Sequence, residues 1–172
     1  MSDNSINTQT SNGNDVEVQQ LKPQPVLSIR ATVRIDQLGE AMGDRLQALR
    51  DYLQQSGAQS AGPPFVRYHT FGETETDLET GIPVVEPVAG NGRITGGELP
   101  GGQAVTTWHV GPHDKLGDAY AHIVACLKEQ GHEPDGAAWE VYYWIDLRQP
   151  QDLDTSTWDP STWRTQLVQP TK

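Results

Sequence analysis

The sequence repeats itself, and this limits the fold more than any other feature. Asp36-Gln37-Leu38-Gly39-Glu40-Ala41-Met42 matches Asp114-Lys115-Leu116-Gly117-Asp118-Ala119-Tyr120 at four of seven positions, and Glu40 against Asp118 is a conservative fifth. Carried forward through a loop four residues shorter, the same frame sets Phe65-Val66-Arg67-Tyr68 beside Trp139-Glu140-Val141-Tyr142. The last windows are Val84-Val85-Glu86-Pro87 and Leu167-Val168-Gln169-Pro170. Three windows agree in order and in pattern type, which points to a duplicated unit.

Each copy reads as strand, helix, strand, strand. In the first, residues 26–33 suit a strand. Ile35, Leu38, Met42, Leu46, Leu49 and Leu53 then step by three and four, which puts them on one helical face. Asp36 is the expected N-cap and Gly57 the expected stop. Residues 65–69 read as a strand, residues 72–80 as a polar, acidic turn, and residues 81–88 as an edge strand with prolines. In the second copy the strands fall at residues 103–110, 137–145 and 165–169. A helix capped by Asp114 turns Leu116, Tyr120, Ile123 and Leu127 inward and ends at Gly131.

A β-α-β-β unit cannot bury its sheet face alone. Two units side by side predict an α+β domain. It has one mainly antiparallel sheet, two long helices on one face and a ligand groove on the other. The domain is expected over residues 25–172, with halves at about residues 26–88 and 103–170. Equivalent strands then meet near a pseudo-twofold axis, a natural place for a cleft.

Residues 1–24 are polar, with hardly a large apolar side chain, and read as a disordered tail. Residues 89–102 hold six glycines. They match neither Gly-x-Gly-x-x-Gly after a strand nor a phosphate loop ending in Gly-Lys-Ser/Thr, so they read as a flexible connector. The single cysteine, Cys126, rules out an internal disulfide and sits in an apolar helical run, as a buried thiol would. The start of the chain has no basic and apolar leader, and no stretch is long enough to span a bilayer. A cytoplasmic setting, without membrane attachment, is the expectation. The net charge of −11 opposes direct nucleic-acid binding and favours a cationic partner or ligand.

Strand alternation gathers the candidate site. Glu140, Tyr142 and Trp144 share one face of their strand, and Trp139, Val141, Tyr143 and Ile145 share the other. By the repeat, Val66 and Tyr68 point the same way as Glu140. A charge facing the helices would be costly, so the carboxylate is placed on the groove side. An acid flanked by large aromatics on its own face suits a partly buried group that meets a cation or activates water. Tyr142 is a candidate binding or proton-donating hydroxyl. Trp108 is a candidate groove wall, and Tyr120 a core position that can border the groove. His109 and His113 flank Gly111-Pro112, with no carboxylate or cysteine to complete a set, so no metal and no cofactor are expected.

The chain resembles the GyrI-like family, the effector-binding domain of AraC-type and MerR-type regulators. The resemblance runs from about Val26 to Pro170. It rests on the stretch from Gly62-Pro63-Pro64 to His69, on Leu78-Glu79-Thr80-Gly81-Ile82-Pro83-Val84 and on Leu99-Pro100-Gly101-Gly102. It rests also on His109-Val110-Gly111-Pro112-His113-Asp114-Lys115-Leu116 with Ala119-Tyr120, and on Glu140-Val141-Tyr142. It implies a duplicated β-α-β-β fold with a groove for small aromatic, hydrophobic or cationic compounds, and the family's central acid falls on Glu140. No helix-turn-helix segment is evident, so the stand-alone form is expected, as a monomer or weak dimer. Such forms resemble ligand-sequestering proteins, hydrolases of electrophilic cyclopropane-containing compounds, or an enzyme inhibitor acting through protein contact. In the hydrolase reading Glu140 is the general base and Tyr142 orients the water or the leaving oxygen. Residues 149–163, with Trp158 and Trp163, read as a packed loop, with a lid over the groove as the alternative.

Overall fold

A computed structural model describes residues 16–111, 116–145, 161 and 163–172. The first half holds β1 (Val16–Leu21), β2 (Gln24–Arg34), a 3-10 turn (Ile35–Gln37), α1 (Leu38–Ser56), β3 (Phe65–Phe71) and β4 (Glu75–Pro83). The second holds β5 (Thr95–Leu99), β6 (Gly102–Val110), α2 (Leu116–Gln130), β7 (Trp139–Tyr142) and β8 (Arg164–Pro170). All strand pairs are antiparallel, in the order β1-β6-β8-β7-β3-β4-β2-β5. The architecture is the expected α+β one.

The order reads alike from both ends once the halves are matched, β6-β8-β7 mirroring β2-β4-β3. The central pair β3–β7 has the register Phe65↔Val141, Val66↔Glu140 and Arg67↔Trp139. The repeat equates Phe65 with Trp139, Val66 with Glu140 and Arg67 with Val141. The pseudo-twofold axis therefore passes between Val66 and Glu140.

Each half also lends its leading strand to the other. β1 pairs with β6, and β5 pairs with β2. Yet β1 joins β2 through Lys22 and Pro23 alone, a reach of about 10 Å, while six strand spacings in a flat sheet cover roughly 29 Å. The sheet must curl until its ends meet. The two links then touch, and a Cβ on Gly101 would lie 2.6 Å from Pro23 Cδ. Only glycine fits that approach.

The curl closes one face around Val26, Phe65, Leu99, Ala104, Trp139 and Val168. Both helices lie on the other face. α1 sets Leu46, Leu49 and Leu53 against Leu27, Ile29, Leu78 and Ile82. α2 sets Ala119, Ile123, Cys126 and Leu127 against Val16, Val105 and Leu167. Gly57 and Gly131 end the helices with left-handed φ of 74° and 69°, as glycine permits.

Several sequence expectations are corrected. Glu140 and its neighbours do not lie opposite the helices, where the face is closed around an apolar core, but on the helix-bearing face. The polar tail assigned to residues 1–24 gives way at Val16, where β1 begins and Val16 packs against Val105 and Leu167. The strand after β3 starts within the expected acidic turn. Thr76, Leu78, Thr80 and Ile82 are buried, while Asp77 and Glu79 on the other face meet Arg30, Ser28 and His69. The true counterpart of Leu167 is thus Thr80, which pairs with Val66 as Leu167 pairs with Glu140. The glycine-rich connector contains β5. The strand expected over residues 137–145 is reduced to Trp139–Tyr142. Asp36 caps nothing; it pairs with Arg34 at 2.8 Å, and α1 starts without a side-chain cap. The Asp114 cap and the tail before Val16 lie outside the described residues.

Candidate functional site

β3 and β7 lie at the centre of the sheet, where Val66 and Tyr142 join the cluster of α1 and Tyr120 of α2 reaches Glu140. α1 packs on β2 and β4, and α2 on β6, β1 and β8. Glu140 lies on the pseudo-twofold axis, on the sheet face that carries both helices. The carboxylate faces the helix layer, contrary to the expectation that it would avoid it. That layer brings polar partners, which the burial argument had not counted. Tyr120 of α2 donates its hydroxyl to Oε2 at 2.6 Å, and Tyr142 donates to Oε1 at 2.7 Å. Tyr142 is also hydrogen-bonded with Tyr68.

Glu140 is only 4% exposed. Burial pushes its carboxyl above the usual carboxylate range, against the opposing effects of the Tyr120 and Tyr142 hydroxyls and His109. Burial and the nearby carboxylate together raise Tyr68, Tyr120 and Tyr142, which stay protonated and serve as donors. The aromatic walls continue outward. Trp144 meets Tyr142 at 5.6 Å and stacks on Trp163 at 4.0 Å with 6° between planes. Tyr68, Tyr120, Trp144 and Trp163 are each partly exposed, so a rim of rings surrounds a buried acid.

The structure thus gathers Tyr68, Tyr120, Glu140, Tyr142 and Trp144, with buried Val66 beside Glu140 across the strand pair. It does not bring Trp108 to them. Trp108 pairs with Gln166, one register step from the Leu167 that pairs with Glu140, and so faces the opposite way. There Tyr143 meets it at 4.8 Å and the Arg164 guanidinium covers it at 4.5 Å. Trp108 is a residue of the other face. His113 and most of residues 149–163 lie outside the described residues; of that stretch, Trp163 reaches the site.

Sequence reasoning missed His109, weighing it only as a metal ligand. It is 6% exposed, on the same face as Glu140, and close enough to act on it electrostatically. The repeat carried the signal, since His109 stands where the first half has Ala31. Among the described residues no three His, Cys, Asp or Glu side chains cluster to hold a metal.

One family, described as the GyrI-like small molecule binding domain, matches residues 14–160. The chain belongs to the GyrI-like family. Solved structures share its fold at low identity. The EcmrR C-terminal domain matches with a TM-score of 0.69 and 22% identity, over 92% of this chain and 98% of that one. EcmrR in a complex with DNA matches with a TM-score of 0.74 and 20% identity, and this GyrI-like chain spans 57% of its length. A structure described as a hydrolase from Listeria innocua matches with a TM-score of 0.61 and 15% identity, over 91% of each chain. No curated protein matches the chain in sequence. Among the described residues, no helix is long and apolar enough to cross a membrane.

Proposed function

We propose that this GyrI-like domain binds a hydrophobic aromatic cation between its helices, with Glu140 as the counter-charge. One observation carries the reading. A carboxylate is buried on the pseudo-twofold axis, and among the described residues its hydrogen-bond partners are two tyrosine hydroxyls. Burial already drives this acid toward its protonated form. A cation arriving over it replaces the proton as the compensating charge, and the rings of Tyr68, Tyr120 and Trp144 supply cation–π and stacking contacts.

Nuclear Overhauser contacts test the placement, with methyltriphenylphosphonium as the probe. Its aryl protons should contact the rings of Tyr68, Tyr120 and Trp144. Contacts confined to Trp108 and Tyr143, on the other face, would place binding elsewhere and end this reading.

A hydrolase is the second reading, favoured by the raised carboxyl of Glu140 and by the hydrolase among the structural neighbours. Glu140 would take a proton from water as the water oxygen attacked a strained carbon, and the returning proton would quench the opened bond. Both carboxylate oxygens are occupied by hydroxyl donors, which weighs against a waiting general base. Mass spectrometry of a cyclopropane-containing alkylator incubated with the protein decides it. Ring opening no faster than with Glu140→Gln would remove the hydrolase.

A further inference from the structure

The pseudo-twofold axis shows that the two walls of the cleft differ in chemistry. Across the sheet, Ala31, Leu78 and Tyr68 lie in relation to one another as His109, Thr165 and Tyr142 do. Ala31 pairs with Leu78 and Leu78 with Tyr68; His109 pairs with Thr165 and Thr165 with Tyr142. The same correspondence sets Ile29 against Thr107, Met42 against Tyr120 and Val66 against Glu140. The α1 side is apolar at each of these positions except Tyr68, and the α2 side is polar at every one.

Of the residues that make the α2 side polar, His109 is the one whose type changes charge near neutral pH. It is buried and pairs with Thr165 of β8, which pairs with Tyr142 of β7; it acts electrostatically on Glu140 of β7, the carboxylate that Tyr120 of α2 meets. Arg164 points to the other face, over Trp108. Asp118 in the first turn of α2 is exposed, and His122, two residues past Tyr120, is on the far side of that helix. β1 presents Val16 opposite Thr107. Glu140 and His109 are therefore the charge-bearing pair of the described site.

We infer that His109 sets the charge class of molecule the cleft admits. With a neutral imidazole the pair carries the single negative charge of Glu140 and accepts an aromatic cation. With a protonated imidazole the pair is already neutral, and a cation is repelled while an uncharged molecule of the same shape still enters. Protonation of His109 and cation binding oppose each other, and by linkage each weakens the other equally. This inference rests on the cation reading above.

The test follows the His109 imidazole carbon signal by NMR across pH in the native protein, with His109→Gln assigning the signal. Two probes of matched shape are compared, methyltriphenylphosphonium and uncharged triphenylphosphine oxide. Saturation with the phosphonium should move the titration midpoint about one unit to lower pH, equal to about tenfold weaker binding to the protonated form. The phosphine oxide should leave it in place. A phosphonium that binds without moving the midpoint overturns the role of His109 and leaves the cation reading standing. Equal movement by both probes makes the effect one of packing and also overturns it. Failure of the phosphonium to bind overturns the cation reading and this inference together.

Discussion

Val66 and Glu140 face each other across the β3–β7 pair, and they are also the same position of the two repeats. The axis that relates the halves thus runs between a valine and a carboxylate. Tyr68 and Tyr142 are equivalent positions on either side of it. Duplication supplied the symmetric frame, and divergence at one position supplied the charge.

The two hydroxyl donors oppose the push toward protonation that burial exerts on the carboxylate. Tyr120→Phe and Tyr142→Phe each remove one donor, so Glu140 is pushed further toward protonation. Each should weaken methyltriphenylphosphonium binding at neutral pH by roughly fivefold, about the worth of one hydrogen bond. Tyr68→Phe should cost less, because Tyr68 acts on Glu140 through Tyr142. Calorimetric titration of the three variants orders them.

Stability should depend on pH through Glu140, with a definite sign. Its carboxyl is raised above the ordinary value of 4.5 by burial. Between 4.5 and that raised value the folded chain holds a proton that the unfolded chain releases. Stability is therefore lost as pH rises through this window. Glu140→Gln carries no such charge. Its melting temperature should rise relative to the native protein as pH is raised above 4.5. A gap that stays constant or shrinks would show that burial does not strain this acid.

The first strand offers a separate check. Val16 is 5% exposed and packs against Val105 and Leu167. Val16→Asp buries a charge there, and chemical denaturation should show a loss of at least about 2 kcal/mol. In a disordered tail the same change would cost nothing.

The repeat made much of this fold legible in advance. It located both helices, the meeting of β3 and β7, and the grouping of Glu140 with Val66, Tyr68 and Tyr142. What it hid has physical causes. β1 is polar on its outer side, so its two valines alone gave little sign of a strand. β5 is built on Gly96 and Gly97 and has almost no side chains to show alternation. Glu140 was placed away from the helices because a helix layer was treated as apolar, whereas Tyr120 brings a hydroxyl from within it. Trp108 lies on the other face because a single register step separates its partner Gln166 from Leu167, the partner of Glu140. His109 would have emerged from comparing the halves for polarity as well as for identity.

The central claim is that Glu140 selects for positive charge. Calorimetry of methyltriphenylphosphonium and triphenylphosphine oxide, on the native protein and on Glu140→Gln at pH 7.5, tests it directly. The account predicts that the variant binds the phosphonium at least about tenfold more weakly, as expected for loss of a desolvated charge partner, while the phosphine oxide is little affected. Undiminished phosphonium binding to Glu140→Gln would contradict it.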